Sequence, residues 1–196
     1  AFAPGAVSGR RAHPPKSSRV FAQEINKKEN QKAIRSAIAA SASQEYVKLH
    51  GHRFSTVPVI FEDHIESITK SKDFYNLMIK IGLKEELSRL NEKSIRPGKG
   101  KNRGRKYMRK TGPLVVVSKQ CPLMGACKNM EGFEFVTINN LNAFLLAPGG
   151  DAGRLVIWSK SAIEKLKSES LFMKNKPKTT QSKEISNSKV EKKEIS

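Results

Sequence analysis

Between Ile95 and Lys110 the chain reads IRPGKGKNRGRKYMRK, in which eight of sixteen residues are Lys or Arg, three are glycine and none is acidic. Guanidinium groups offer forked donors that fit phosphate oxygens, and ammonium groups supply compact positive charge. Glycine lets a backbone approach a surface closely. Alternating the two suits threading along a polyanionic backbone, with Tyr107 placed to stack on a base or cover a sugar. The chemistry open to such a segment is electrostatic binding, not bond making. The stretch SGRRAHPPKSSR, Ser8 to Arg19, has the same logic in stiffer form. Its prolines hold it extended, and Arg10, Arg11, Lys16 and Arg19 can each neutralise a phosphate.

Other chemistries find little support. The glycines of PGKGKNRG fall at Gly98, Gly100 and Gly104, a spacing that matches neither phosphate-loop fingerprint. They also precede a strand instead of joining a strand to a helix. His50, His52, Asp63 and His64 could be imagined around a metal, but His-x-His in a polar loop beside Arg53 is more often a contact to phosphate or solvent. Ser, His and Asp all occur, yet nothing resembles a G-x-S-x-G elbow. Cys121 and Cys127 fit neither a redox pair nor a paired zinc arrangement and read as reduced, mostly buried thiols. No apolar run approaches the ~18–20 residues that cross a bilayer. We expect no catalysis, cofactor, metal, membrane or small-molecule substrate.

The formal charge is +19, and its distribution says more than its size. Residues 1–23 carry four cations and no acid, whereas residues 24–94 set twelve cations against ten acids and residues 111–167 set six against four. The segment 95–110 alone carries eight unopposed cations. The positive charge therefore sits in segments that lack a core of their own and implies a polyanionic partner.

The rest of the chain must position these segments. Residues 1–25 have no apolar periodicity and read as an extended basic arm. Asn26 can cap a helix in which Glu29 completes a capping box and Ala33, Ile34, Ala37, Ile38 and Ala42 form a narrow apolar face. Tyr46–Leu49 reads as a short strand, and VPVIF, ending at Phe61, as another. A helix is expected from Ser71, with Phe74, Leu77, Met78 and Ile81 on one face and Gly82 as its stop. KEELSRLNEK reads as a short helix. Leu114–Val117 is an unalternating β-branched run, the mark of a strand buried on both faces. A helix over 122–130, a strand over 133–137, a helix in NNLNAFLLAPGG, a strand over 154–158 and a last helix capped by Ser159 complete the pattern. Strands alternating with helices predict a three-layer, Rossmann-like α/β domain over 26–167 with a mostly parallel sheet, interrupted by the basic loop 95–110. Residues 168–196 read as a low-complexity, disordered tail.

GRRAHPP with KKENQKAIRSAIAASA, then GHRF, IRPGKGKNRGRKY leading into GPLVVV, and LAPGGDAGRLVIWSKSAIEKL resemble the family of large-subunit ribosomal protein four, in its archaeal and eukaryotic-cytoplasmic form. The resemblance runs from about Gly5 to Leu166. It implies a structural constituent of the large ribosomal subunit, with large-subunit ribosomal RNA and neighbouring ribosomal proteins as partners. It also implies a cytoplasmic location, with a nucleolar stage of assembly in a eukaryote. In that family a long loop upstream of GRRAHPP reaches the wall of the nascent-peptide exit tunnel, so we expect this chain to begin inside the loop's returning limb. Carried over by position, Arg10, Arg11, His13 and Lys16 would contact RNA from the arm, and His52 and Arg53 from the GHR block. Arg96, Lys99, Lys101, Arg103, Arg105 and Lys106 would do so from the basic loop, and Gly149, Gly150 and Arg154 from the APGG turn. Arg19 in the arm and Arg109 and Lys110 in the basic segment join the expected RNA contacts on their charge. Asp151 stands where the family usually has His.

Two other readings remain at this point. An α/β enzyme with basic tails would need a glycine turn after a strand, and a duplex-DNA reader would more often carry its charge on a folded helix.

Overall fold

Leu114–Val117 (β4) is inaccessible along its whole length, and the protein is built around it. The computed structural model describes residues 3–173. In chain order it contains α1 (Lys27–Ser41), α2 (Gln44–Leu49), β1 (Val59–Phe61), α3 (Ser71–Lys80), α4 (Lys84–Asn91), β2 (Ser94–Ile95), β3 (Tyr107–Met108), β4, α5 (Pro122–Ala126), β5 (Glu134–Thr137), α6 (Ala143–Leu146), β6 (Val156–Ser159) and α7 (Lys160–Ser168). Four strands form a parallel sheet in the order β1-β6-β4-β5, while β2 and β3 pair as a separate antiparallel ribbon.

The two-residue period of β4 divides the core. Val115 and Val117 point into a cluster with Val47, Phe74, Met78, Leu83, Leu87, Leu123 and Ile157. Leu114 and Val116 point into the other, with Ile34, Ala37, Leu146, Val156, Trp158 and Ala162. Helices α2–α5 thus cover one face of the sheet and α1, α6 and α7 the other. This is the three-layer arrangement that a strand with two apolar faces requires.

Local signals behave as their chemistry dictates at several ends. Asn26 Oδ1 accepts from the Lys28 amide, and Ser159 Oγ accepts from that of Ala162. Gly82 follows α3 with φ +88°, a conformation open to glycine at little steric penalty.

Four expectations need correcting. Tyr46–Leu49 is helical: the Val47 and His50 amides bond back to the Ser43 and Tyr46 carbonyls, and only Val47 is buried. Four residues are too few to separate a period of 2 from one of 3.6. The helix expected over 122–130 stops at Ala126, and that in NNLNAFLLAPGG shrinks to the single turn of α6. Finally, packing continues past residue 168: Leu171 and Phe172 lie against the α1/α7 side of the core, and Arg35 donates to the Phe172 carbonyl at 3.2 Å. The remainder of the expected tail, from 174 on, lies outside the described residues.

Candidate nucleic-acid interface

The basic segment is a hairpin rather than a loop. Ser94 faces Met108 and Ile95 faces Tyr107 in the β2–β3 ribbon, and the Arg96 amide extends the pairing to the Lys106 carbonyl at 2.8 Å. The tip is a 3-10 turn over Lys99–Arg103, bounded by Gly98 (φ +75°) and Gly104 (φ +79°). Positive φ at both ends of the turn is what the glycines supply; a side chain there would be strained. Every residue from Lys101 to Lys110 is exposed.

The eight cations separate into two groups. Lys99, Lys101, Arg103, Arg105 and Lys106 are exposed and have no ion-pair partner among the described residues. Lys106 lies 5.4 Å from the centre of the Tyr107 ring, which keeps the tyrosine beside the charge. The other three are engaged near the root. Arg96 Nε donates to the Arg105 carbonyl at 3.1 Å, Arg109 faces Glu131 and Lys110 pairs with Glu92. These pairs are exposed and individually weak, so they orient the root without removing Arg109 and Lys110 from contact.

Below the root lies a buried polar network. Glu86 occupies the apolar face of α4 beside Leu83, Leu87 and Leu90 and is fully buried. It accepts from His52 Nδ1 at 2.7 Å, the Arg53 amide at 2.9 Å and Arg89 Nε at 2.8 Å. Burial opposes its ionisation, but donation from Arg89, His52 and the Arg53 backbone outweighs this and lowers the carboxyl to about 2. Arg89 also donates through Nη2 to the Thr111 carbonyl at 2.7 Å.

His52 and Arg154, expected to face RNA, are both buried. His52 is 4% exposed, with its ring on Glu86 and stacked 5.1 Å from that of His50. The His50 pKa is lowered, first by burial and then by His52. Arg154 is 1% exposed and donates to the carbonyls of Gly112 and Leu145, both at 2.8 Å, and to Glu134 at 2.6 Å. A buried guanidinium must be paired internally, and a run such as LVIW directly after it carries it inside. Of the GHR block, Gly51 and Arg53 stay exposed and only His52 is buried.

In the APGG turn, Gly149 (φ +80°) and Gly150 (φ +96°) are exposed with open space where a Cβ would stand. A flat backbone can be approached closely there. Gly153 differs: a Cβ would come within 2.4 Å of the Tyr46 carbonyl oxygen, so it serves packing. In the arm, Arg10, Arg11, His13, Lys16 and Arg19 are all exposed on a segment without helix or strand, and Arg19 lies over Phe21 at 5.2 Å.

Sequence reasoning missed Glu86, Arg89 and Glu134. One signal was present: an acid in the apolar stripe of a short helix, three residues before an arginine, marks a buried pair. Among the described residues no cluster of three or more His, Cys, Asp or Glu could hold a metal. Burial raises both thiols, that of Cys127 to about 11, which makes them poor nucleophiles.

The Ribosomal protein L4/L1 family model matches residues 1–169. The chain is similar to the large ribosomal subunit protein uL4 of Methanocaldococcus jannaschii, at 47% identity over 84% of this chain and 66% of the relative. It is likewise similar to those of Methanosphaera stadtmanae, at 44% over 90% and 69%, and Archaeoglobus fulgidus, at 45% over 83% and 66%. The chain thus spans about two thirds of the length of these curated relatives.

Proposed function

Because the chain belongs to the ribosomal protein L4/L1 family, we propose that it is a non-catalytic structural constituent of the large ribosomal subunit that binds and stabilises large-subunit ribosomal RNA. Its place of work is the ribosome of the cytoplasm, with a nucleolar stage of assembly if the source is eukaryotic. The observation that carries this reading is the hairpin: five exposed cations on and directly after a glycine-flanked turn, unopposed among the described residues, beside a body whose own charges nearly balance. Charge neutralisation is the mechanism. The α/β body anchors the protein, and the hairpin and arm fill gaps between RNA segments that would otherwise repel each other.

The proposed contacts are Lys99, Lys101, Arg103, Arg105, Lys106, Arg109 and Lys110 on the hairpin, with Arg96 at its root. Arg53 and the Gly149–Gly150 backbone add a second surface. Arg10, Arg11, His13, Lys16 and Arg19 add a third, on an arm we read as part of the family loop that reaches the exit tunnel. Neighbouring large-subunit proteins complete the set of partners. Co-sedimentation tests the reading: the protein should stay with large subunits through a high-salt wash, and equal release from large subunits and from duplex DNA would overturn it.

A further inference from the structure

The hairpin returns to the core through Thr111, Gly112 and Pro113, and each of the first two offers its carbonyl to a different arginine. Arg89 Nη2 holds the Thr111 oxygen at 2.7 Å and Arg154 Nε holds that of Gly112 at 2.8 Å. Both arginines are themselves fixed by carboxylates, Arg89 by Glu86 one turn earlier on α4 and Arg154 by Glu134 on β5. The Gly112 amide donates to the Gly132 carbonyl at 3.0 Å, and a Cβ on Gly112 would come within 2.6 Å of that oxygen. Two successive peptide carbonyls are thereby each held by a different arginine, with no room for a side chain at Gly112.

Resting on the RNA-binding reading above, we propose that Arg89 and Arg154, with Glu86 and Glu134, are positioning residues for the basic hairpin: they touch no RNA and set the direction in which its cations point. The leverage is geometric. Gly104 lies seven positions before Thr111, a step that spans at most ~25 Å as extended chain. A swing of about ten degrees at the root moves such a tip by ~4 Å, whereas a charge-assisted hydrogen bond tolerates only a few tenths of an ångström. A folded RNA presents its phosphates in a fixed arrangement and senses the swing. A flexible polyanion does not.

That contrast supplies the test. The full chain is titrated with deproteinised large-subunit ribosomal RNA and with heparin, as wild type, as Arg89→Lys and as the hairpin variant Arg103→Gln/Arg105→Gln/Lys106→Gln. Lysine retains the charge but cannot bridge Glu86 and the Thr111 carbonyl with a planar fork. The expected result for Arg89→Lys is about tenfold weaker binding to the RNA, a salt slope lower by about one unit and unchanged heparin binding. The hairpin variant should weaken on both polyanions. Equal losses on both for a folded Arg89→Lys, or no loss on either, would overturn the positioning role. A hairpin variant indistinguishable from wild type on the RNA would instead remove the interface reading itself. If Arg89→Lys does not fold, Glu134→Gln decides. Its carboxylate is half exposed and the other two Arg154 bonds remain, so RNA binding should fall with heparin binding intact, and parity with wild type overturns the proposal.

Discussion

Arg105 and Arg154 are the same residue put to opposite uses. The first stands exposed just past the glycine that closes the hairpin's turn, with its guanidinium unpaired among the described residues; the second is inaccessible and bonded to three internal acceptors. Composition counts them equally toward the net charge, but their neighbours do not treat them alike. Glycine and lysine around Arg105 leave nothing to bury. Leu155 to Trp158, directly after Arg154, form the inside of the sheet and take the arginine with them. Under the proposed reading, charge in this protein has two roles, one outward for binding and one inward for aiming. The variants below rank by their effect on the fold.

Arg154→Met should have the largest. It strips the donors from the Gly112 and Leu145 carbonyls and leaves Glu134 without its partner. Removing one member of such a buried set costs about 3–5 kcal/mol, to be measured by urea unfolding. A loss below ~1 kcal/mol would mean that Arg154 is as dispensable as a surface arginine, and the distinction drawn above would collapse.

Glu86 gives the next largest effect, and pH reveals it. The ordinary carboxyl value of 4.5 is lowered to about 2 in the fold. A depressed pKa contributes stability that is fully present above the unfolded value and is lost as pH falls from about 4.5 towards 2. The contribution is on the order of 3 kcal/mol. Between pH 5 and pH 2.5 the wild type should therefore lose stability more steeply than Glu86→Gln. Parallel pH profiles for the two proteins would place the carboxylate outside the network.

How much of this could be read beforehand differs by region. The twofold-buried β4, the stop at Gly82 and the caps at Asn26 and Ser159 follow from local chemistry, and all are present. The ribbon was not legible, because strands of two residues carry no period. The directions of His52 and Arg154 were not legible either. Motif position places a residue along the chain, whereas its facing depends on carboxylates 34 and 20 residues away, Glu86 and Glu134.

Gly104→Ala should have a smaller effect, confined to the hairpin. The position has φ +79° with open space around it, so the penalty is conformational, roughly 1 kcal/mol. The turn alone bears it. The melting temperature of the body should stay constant while amide exchange at residues 99–105 accelerates. A lower melting temperature would tie the tip to the core.

The smallest effect on the fold, and one of the largest on binding, belongs to Arg103→Gln/Arg105→Gln/Lys106→Gln. Among the described residues these exposed side chains pair with no acid, so replacing them removes three charges at nearly constant length and polarity. Thermal unfolding should match the wild type within error, in contrast to Arg154→Met. If each cation neutralises one phosphate, log affinity for large-subunit RNA against log salt should flatten by about two to three units, largely independent of base identity. A fall in affinity without a change in slope would assign the hairpin to shape or base contacts. Should affinity and incorporation into subunits both stay as they were, the run is only solvated charge, and the outward arginines would be the idle ones.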